Sequence, residues 1–296
     1  MGESTAKANG IEIAYEALGD TAARPMLLIM GLGAQMVLWE DDFCRMLVER
    51  GHRVIRFDNR DVGRSTHFHD AGLPDIAAMM TAAFTGQPLS APYTLSDMAK
   101  DCVGLLDALD IERADVVGAS MGGMIAQALA IEHPRRVRTL TSIMSTTGNP
   151  ALPPPNAEAI AFLLSPMPMD REGSIEHAVK MFRVIGSPDF PFEEARIRRL
   201  ATLQYERGID AAGVLRQLSA IVASGSRTEK LRSVTAPTLV IHGKADPLVP
   251  LEGGAETAAA IPGARLEAVE GMGHDLPMSL WPRLVEWIST HASTAR

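Results

Sequence analysis

The run Ala114-Asp115-Val116-Val117 leads into Gly118-Ala119-Ser120-Met121-Gly122, and Gly123-Met124-Ile125-Ala126-Gln127-Ala128-Leu129 follows at once. A short apolar, β-favouring segment thus turns through a glycine-flanked serine into a helix-forming segment, which is the strand–turn–helix context of a G-x-S-x-G nucleophile elbow. So sharp a turn presses the residues beside the serine against strand and helix, and only glycines fit there. Ser120 is then expected at the carboxyl edge of a sheet, with the first amides of a helix beneath it. A serine with no partners would be a mere turn residue, so the reading depends on the rest of the chain.

Around the elbow, strand-like and helix-like segments alternate. Ile11 to Leu18 alternates apolar and polar residues, and Met26 to Met30 is continuously apolar, as a strand buried on both faces is. A helical stretch near Trp39 to Arg50 precedes a strand over Arg53 to Phe57. Leu95-Ser96-Asp97 opens a helix running to Leu109, with Met98, Cys102, Leu105, Leu106 and Leu109 on one face. Val137 to Met144 reads as another strand. Such β-then-α repetition implies an α/β fold with a mainly parallel sheet and helices on both faces. The pattern breaks at Ser145, where Gly148 to Pro155 is rich in glycine and proline. Helical periodicity without a strand then fills Ala157 to Leu164, Ser174 to Ile185, Glu193 to Tyr205 and Ala211 to Ala223. Alternation returns at Thr238 to His242 and Arg265 to Val269, and a helix from Trp281 to about His291 closes the chain. The expected organisation is a core of residues 1–144 and 232–296, interrupted by a helical insertion over residues 145–231.

A serine hydroxyl needs a base, and the base needs an orienting acid. Asp246 follows the strand ending at His242, in a loop stiffened by Pro247 and Pro250. His274 follows the strand ending at Val269, within Gly271-Met272-Gly273-His274. Asp275 is a weaker acid, because a residue cannot easily reach its own neighbour's ring. His52 and His133 read as helix ends, His67 and His69 as loop residues, His177 as part of the insertion, His242 as a packed core residue and His291 as near a frayed terminus. Oxyanion donors are expected from the amides of Met121, directly after the nucleophile, and of Leu32, between Gly31 and Gly33. Gly31, Met144, Phe162 and Met272 are the expected substrate contacts, since methionine and aromatic side chains make an adaptable apolar pocket. No His, Cys or acid residues show metal-ligand spacing, so neither a metal nor a cofactor is expected.

With these residues in place, the chain resembles α/β-hydrolase-fold serine hydrolases over nearly its full length. Phe57 to Thr66 is similar to that family's D-x-R-G-x-G-x-S loop, with Asp61 in place of the usual first glycine. Met30-Gly31 stands where His-Gly is more frequent. Both departures resemble the aclacinomycin methylesterase-like carboxylesterase group. The resemblance implies Ser120 as nucleophile, His274 as base, Asp246 as its orienter, Leu32 and Met121 as oxyanion donors, and the insertion as a cap. Asp58 and Arg60 are expected to lock their turn by side-chain-to-backbone hydrogen bonds. Hydrolysis of small to medium uncharged esters, methyl esters included, is the expected reaction. Carbon–carbon bond hydrolysis, lactone opening, perhydrolysis and binding without catalysis are the alternatives. Dehalogenase and epoxide hydrolase chemistry is disfavoured, because those relatives carry aspartate at the nucleophile position.

A net charge of −8 with both signs mixed along the chain gives no nucleic-acid footprint, and no apolar run is long enough to span a membrane. Two cysteines in helical segments and no secretory leader pattern lead to an expected cytoplasmic location. A homodimer is compatible with the sequence.

Overall fold

The computed structural model describes residues 2–85, 87 and 89–295. Eight strands form one sheet: β1 (Ser4–Ala8), β2 (Ile11–Leu18), β3 (Arg24–Ile29), β4 (His52–Phe57), β5 (Ala114–Ala119), β6 (Val137–Ile143), β7 (Thr238–Gly243) and β8 (Arg265–Val269). Their spatial order is β1-β2-β4-β3-β5-β6-β7-β8; β1 and β2 join antiparallel and the rest are parallel. The order reverses beside β3 and β5, the place where open α/β sheets gather ligands at their carboxyl ends.

The helices are α1 (Asp41–Glu49), α2 (Ile76–Thr85), α3 (Leu95–Ala108), α4 (Met121–Glu132), α5 (Ala157–Leu163), α6 (Arg171–Ile185), α7 (Glu194–Arg207), α8 (Ala211–Ser224), α9 (Thr228–Leu231), α10 (Leu251–Ala260) and α11 (Trp281–Ala292). Alternation along the central strands divides the core in two. Leu27 and Ile29 of β3 join Val116 of β5 and the inner faces of α3 and α4, while Met26 and Leu28 join Val117, α1 and α11. Each fully buried leucine or methionine here contributes about 2 kcal/mol through removal from water. Helix α4 is apolar nearly all round because it is buried nearly all round. A Thr94–Asp97 capping box starts α3 where the sequence places its opening.

Between β6 and β7 the described residues form α5 to α9 and no strand, so the insertion is helical. Several local expectations shift. Trp39 belongs to the turn before α1, which begins at Asp41. His52 opens β4 rather than ending a helix. His291 is buried, and its Nε2 lies 3.1 Å from both the Leu140 and Pro237 carbonyls, so the C-terminal helix is tied to the sheet rather than frayed. Cys44 and Cys102 are buried free thiols. Among the described residues, no helix is long and apolar enough to cross a membrane.

Candidate active site

Ser120 sits between β5 and α4 with φ +56°, a left-handed conformation that non-glycine residues rarely adopt. Its geometry is over-determined. The Ser120 amide donates to the Ile143 carbonyl (2.9 Å), and the Ser145 hydroxyl donates to the Ser120 carbonyl (2.8 Å). The flanking glycines are required by close backbone approach: a Cβ on Gly118 would stand 2.1 Å from the Gly122 carbonyl oxygen, and one on Gly122 would stand 2.1 Å from that of Ile29. Strain of about 1–3 kcal/mol at such a residue is held by its surroundings.

Three side chains from distant parts of the chain meet in one row. The Ser120 hydroxyl donates to His274 Nε2 (2.9 Å), and His274 Nδ1 donates to Asp246 Oδ2 (2.7 Å). His274 and Asp246 are both buried. The other carboxylate oxygen of Asp246 accepts from the amides of Leu248 (2.9 Å) and Val249 (2.8 Å), which fixes its plane toward the ring. His242 lies behind the row, its Nε2 2.8 Å from the Val249 carbonyl and 3.7 Å from Asp246 Oδ2. Burial holds its pKa below the ordinary histidine range, so it stays neutral beside that carboxylate. Such a row can draw the proton from a hydroxyl and hold the resulting imidazolium.

The loop after β3 brings Gly31 against Ser120, where a Cβ on Gly31 would be 3.1 Å from the serine Cβ. Met121 directly follows the serine and Leu32 follows Gly31; among the described residues neither amide donates to a protein acceptor. Two side chains that sequence reasoning did not single out hold this loop. Asn59 donates to the Met30 carbonyl (3.0 Å), and Gln217 of α8 accepts from the Gly33 amide (2.8 Å) while donating to the Arg60 carbonyl (2.7 Å). Gln217 is fully buried. It shares the buried side of α8 with Arg216 and Ser219, and nothing in the linear sequence singles it out.

In the Asp58–Ser65 loop, Asp58 accepts from the amides of Met36 (2.7 Å) and Arg64 (3.0 Å) and pairs with Arg207 of α7. Burial raises its pKa above the usual aspartate value, an effect that Arg207 and the two amides oppose without reversing. Arg60 differs from expectation. Its guanidinium engages both carboxylate oxygens of Asp101 in α3 (2.6 Å each), with only a long contact to a backbone carbonyl. Asp61 takes φ +65°, the conformation a glycine would adopt freely, and its buried carboxylate receives Arg216 of α8 (2.8 and 2.9 Å) and the Tyr93 hydroxyl (2.6 Å).

A cavity of about 440 Å³ lies between this loop region and the inserted helices. Leu32, Leu38, Val62, Phe162, Leu163, Met167, His177, Met181, Phe182 and Val214 are among its walls, with Asp61 and Asp210; among the described residues no lysine or arginine lines it, and neither Ser120 nor His274 is a lining residue. Phe162 therefore lines it. Met144 and Met272 are buried in the apolar cluster beneath the sheet edge, and neither belongs to the cavity wall. His177 packs on Phe162 at 4.6 Å between ring centroids, and partial burial, with Lys180 nearby, lowers its pKa below the ordinary histidine value. One grouping escapes any reading of spacing: His67 Nδ1 and His69 Nδ1 lie 2.9 and 3.8 Å from Asp210 Oδ2, which also accepts from Arg216 (3.1 Å). That trio has the donor types of a metal site, so the fold supplies a cluster the linear sequence does not show. The guanidinium already gives its carboxylate a countercharge.

Comparison with known proteins places these features in context. The pattern of the α/β hydrolase fold family matches residues 24–171, and that of TAP-like proteins matches residues 221–279. The chain is 32% identical to the rhodomycin D methylesterase DnrP of Streptomyces peucetius, over 95% of this chain and 94% of that protein. It is 31% identical to a 2-hydroxy-6-oxononadienedioate/2-hydroxy-6-oxononatrienedioate hydrolase of Cupriavidus pinatubonensis, over 77% of this chain and 72% of that protein. Its fold is similar to that of the esterase RhEst1 from Rhodococcus, with a TM-score of 0.77 and 18% identity, each chain covered completely.

Proposed function

Because this chain belongs to the α/β hydrolase fold family, we propose that it is a serine carboxylic-ester hydrolase acting on uncharged esters, methyl esters included. Ser120 is the nucleophile, His274 the general base and acid, and Asp246 the residue that orients the imidazole and stabilises its charged form. His274 takes the Ser120 proton as the hydroxyl oxygen bonds to the ester carbonyl carbon. The amides of Leu32 and Met121 receive the oxyanion. His274 then protonates the leaving alcohol, and water repeats the sequence on the acyl-enzyme to free the acid. Residues 145–231 act as a cap that shapes the cavity, and residues 1–144 and 232–296 carry the chemistry. Buried free thiols fit a reducing, cytoplasmic setting.

The observation that carries this reading is the continuous row of 2.9 and 2.7 Å hydrogen bonds from Ser120 through His274 to Asp246. The methylesterase relative, matched over nearly its whole length, supports the ester as substrate. A second reading is hydrolysis of a dianionic oxo-dienedioate, after the relative from Cupriavidus. Among the described residues the cavity wall carries Asp61 and Asp210 and no lysine or arginine, a lining ill suited to two carboxylates, and this favours neutral esters. Steady-state assays on methyl esters, longer acyl esters, lactones and a dicarboxylate dienoate discriminate the two. Neutral esters are expected to be turned over and Ser120→Ala to be inert. Preference for the dianion would replace this assignment with the second.

A further inference from the structure

The loop that carries His274 is held from two sides. The core side uses carbonyls: those of Val269 and Met272 accept from the amides of Lys244 (2.9 Å) and Ala245 (3.0 Å). The other side is the C-terminal end of α6. There the His274 amide donates to the Ile185 carbonyl (2.7 Å), and the Asp189 amide reaches the Gly271 carbonyl (3.4 Å). Ser187, just beyond α6, uses its hydroxyl twice, accepting from the Gly273 amide (2.9 Å) and donating to the Asp275 carboxylate. The backbones touch directly, since a Cβ on Gly273 would stand 2.2 Å from the Gly186 carbonyl oxygen. The Asp275 carboxylate accepts from Ser187, in the segment between α6 and α7. The loop's outer end is tied by Arg196 of α7, which donates to the Leu276 carbonyl (3.2 Å).

Helix α6 itself walls the cavity with Ser174, His177, Ala178, Met181 and Phe182. A shift of α6 is therefore transmitted to residues 185–187, and from there to the backbone of the base. We propose that Ser187 and Asp275 are positioning residues for acyl transfer, tying the cavity-lining helix α6 to the loop that aims His274 at Ser120. This inference rests on the assignment of the Ser120, His274 and Asp246 row given above. A ring displaced by about 1 Å loses its in-line bond to the serine, and misplacement of that size costs up to about a hundredfold in rate.

The test measures kcat and KM on p-nitrophenyl acetate, the rate of Ser120 labelling by a fluorophosphonate, and the melting temperature. Ser187→Ala and Asp275→Ala, which cut the tie from opposite ends, are each expected to lower kcat and labelling about ten- to a hundredfold, with KM changed less than about threefold. Ser187→Thr keeps the hydroxyl and Asp275→Asn keeps an acceptor, so both are expected to recover most of the lost rate. Folded Ser187→Ala or Asp275→Ala protein with wild-type kcat overturns the proposal, and if one of the two fails to fold the other decides. Asp275→Asn as slow as Asp275→Ala also overturns it, because charge rather than the tie would then be at work. Wild-type protein that resists labelling defeats the assignment of the row itself, whereas fast labelling of both wild type and alanine variants defeats only the tie.

Discussion

At the scale of single residues, the site rests on a few backbone positions that tolerate no alternative. Gly122 is the clearest, because its α-carbon faces the Ile29 and Met30 carbonyls at distances no Cβ can share. Gly122→Ala is expected to cost several kcal/mol or to prevent folding, read as a lost or lowered urea transition, in line with overpacking against rigid backbone. Gln217 makes a subtler case. Gln217→Leu keeps volume but frees the Gly33 amide and the Arg60 carbonyl, so the loop after β3, proposed to supply an oxyanion donor, loses a brace. A fall in kcat of about tenfold or more, with KM little changed, is the expected signature; an unchanged kcat would remove Gln217 from the account. These two residues also show what was legible. The glycine pattern around Ser120 speaks in the sequence because it is local, and the turn dictates its own residues. The partnership of Gln217 with a loop 184 residues away is a product of tertiary packing, and a glutamine beside Arg216 in a helix does not reveal its target.

At the scale of elements, the inserted helices are fastened to the core by buried charge rather than by apolar contact alone. Asp61 binds Arg216 of α8, and Asp58 binds Arg207 of α7. The Asp61 departure from the familiar glycine thus has a structural meaning: aspartate tolerates the left-handed backbone and brings a carboxylate to meet α8. Asp61→Gly relieves the backbone but leaves Arg216 buried without its main partner, a loss of about 3–5 kcal/mol. Calorimetry should show the single variant melting well below wild type, and Asp61→Gly with Arg216→Met recovering much of the difference. The hydrophobic periodicity made α6, α7 and α8 readable to within a few residues, because each buries one stripe. It was silent on β1, α2, α9 and α10. The short polar edge strand β1 gets its pairing from β2, and the small-residue helix α10 gets its place from β7 and β8. Their own sequences carry little periodic signal.

At the scale of the whole molecule, the buried histidines set how stability responds to acid. Burial depresses the pKa of His52, His242 and His291 below the ordinary 6.5. The unfolded chain takes up protons near pH 6.5 while the native chain does not, so stability falls as pH drops from 7 toward these lower values. Each such group contributes up to about 1.4 kcal/mol per pH unit across that window. The raised carboxyls of Asp58, Asp101 and Asp275 act with the opposite sign from a starting value of 3.8. Urea midpoints at pH 7 and 5.5 for wild type and His291→Gln isolate the histidine part, and the variant is expected to show the smaller acid loss. An equal loss in both would show that His291 is not held neutral. The mainly parallel sheet and the gathering of Ser120, Asp246 and His274 on one edge were foreseeable because each of the three follows a strand ending, whereas the strand order came only from the fold. What fills the cavity was not foreseeable either, since its walls come from helices whose packing only the fold determines. The most direct test of the central claim is mass-spectrometric mapping after fluorophosphonate treatment of wild type, His274→Ala and Asp246→Asn. A single adduct on the peptide containing Ser120, formed rapidly in wild type and at least about a hundredfold more slowly in both variants, is predicted. Adduct formation at another residue, or labelling of Ser120 at the same rate without His274, would contradict it.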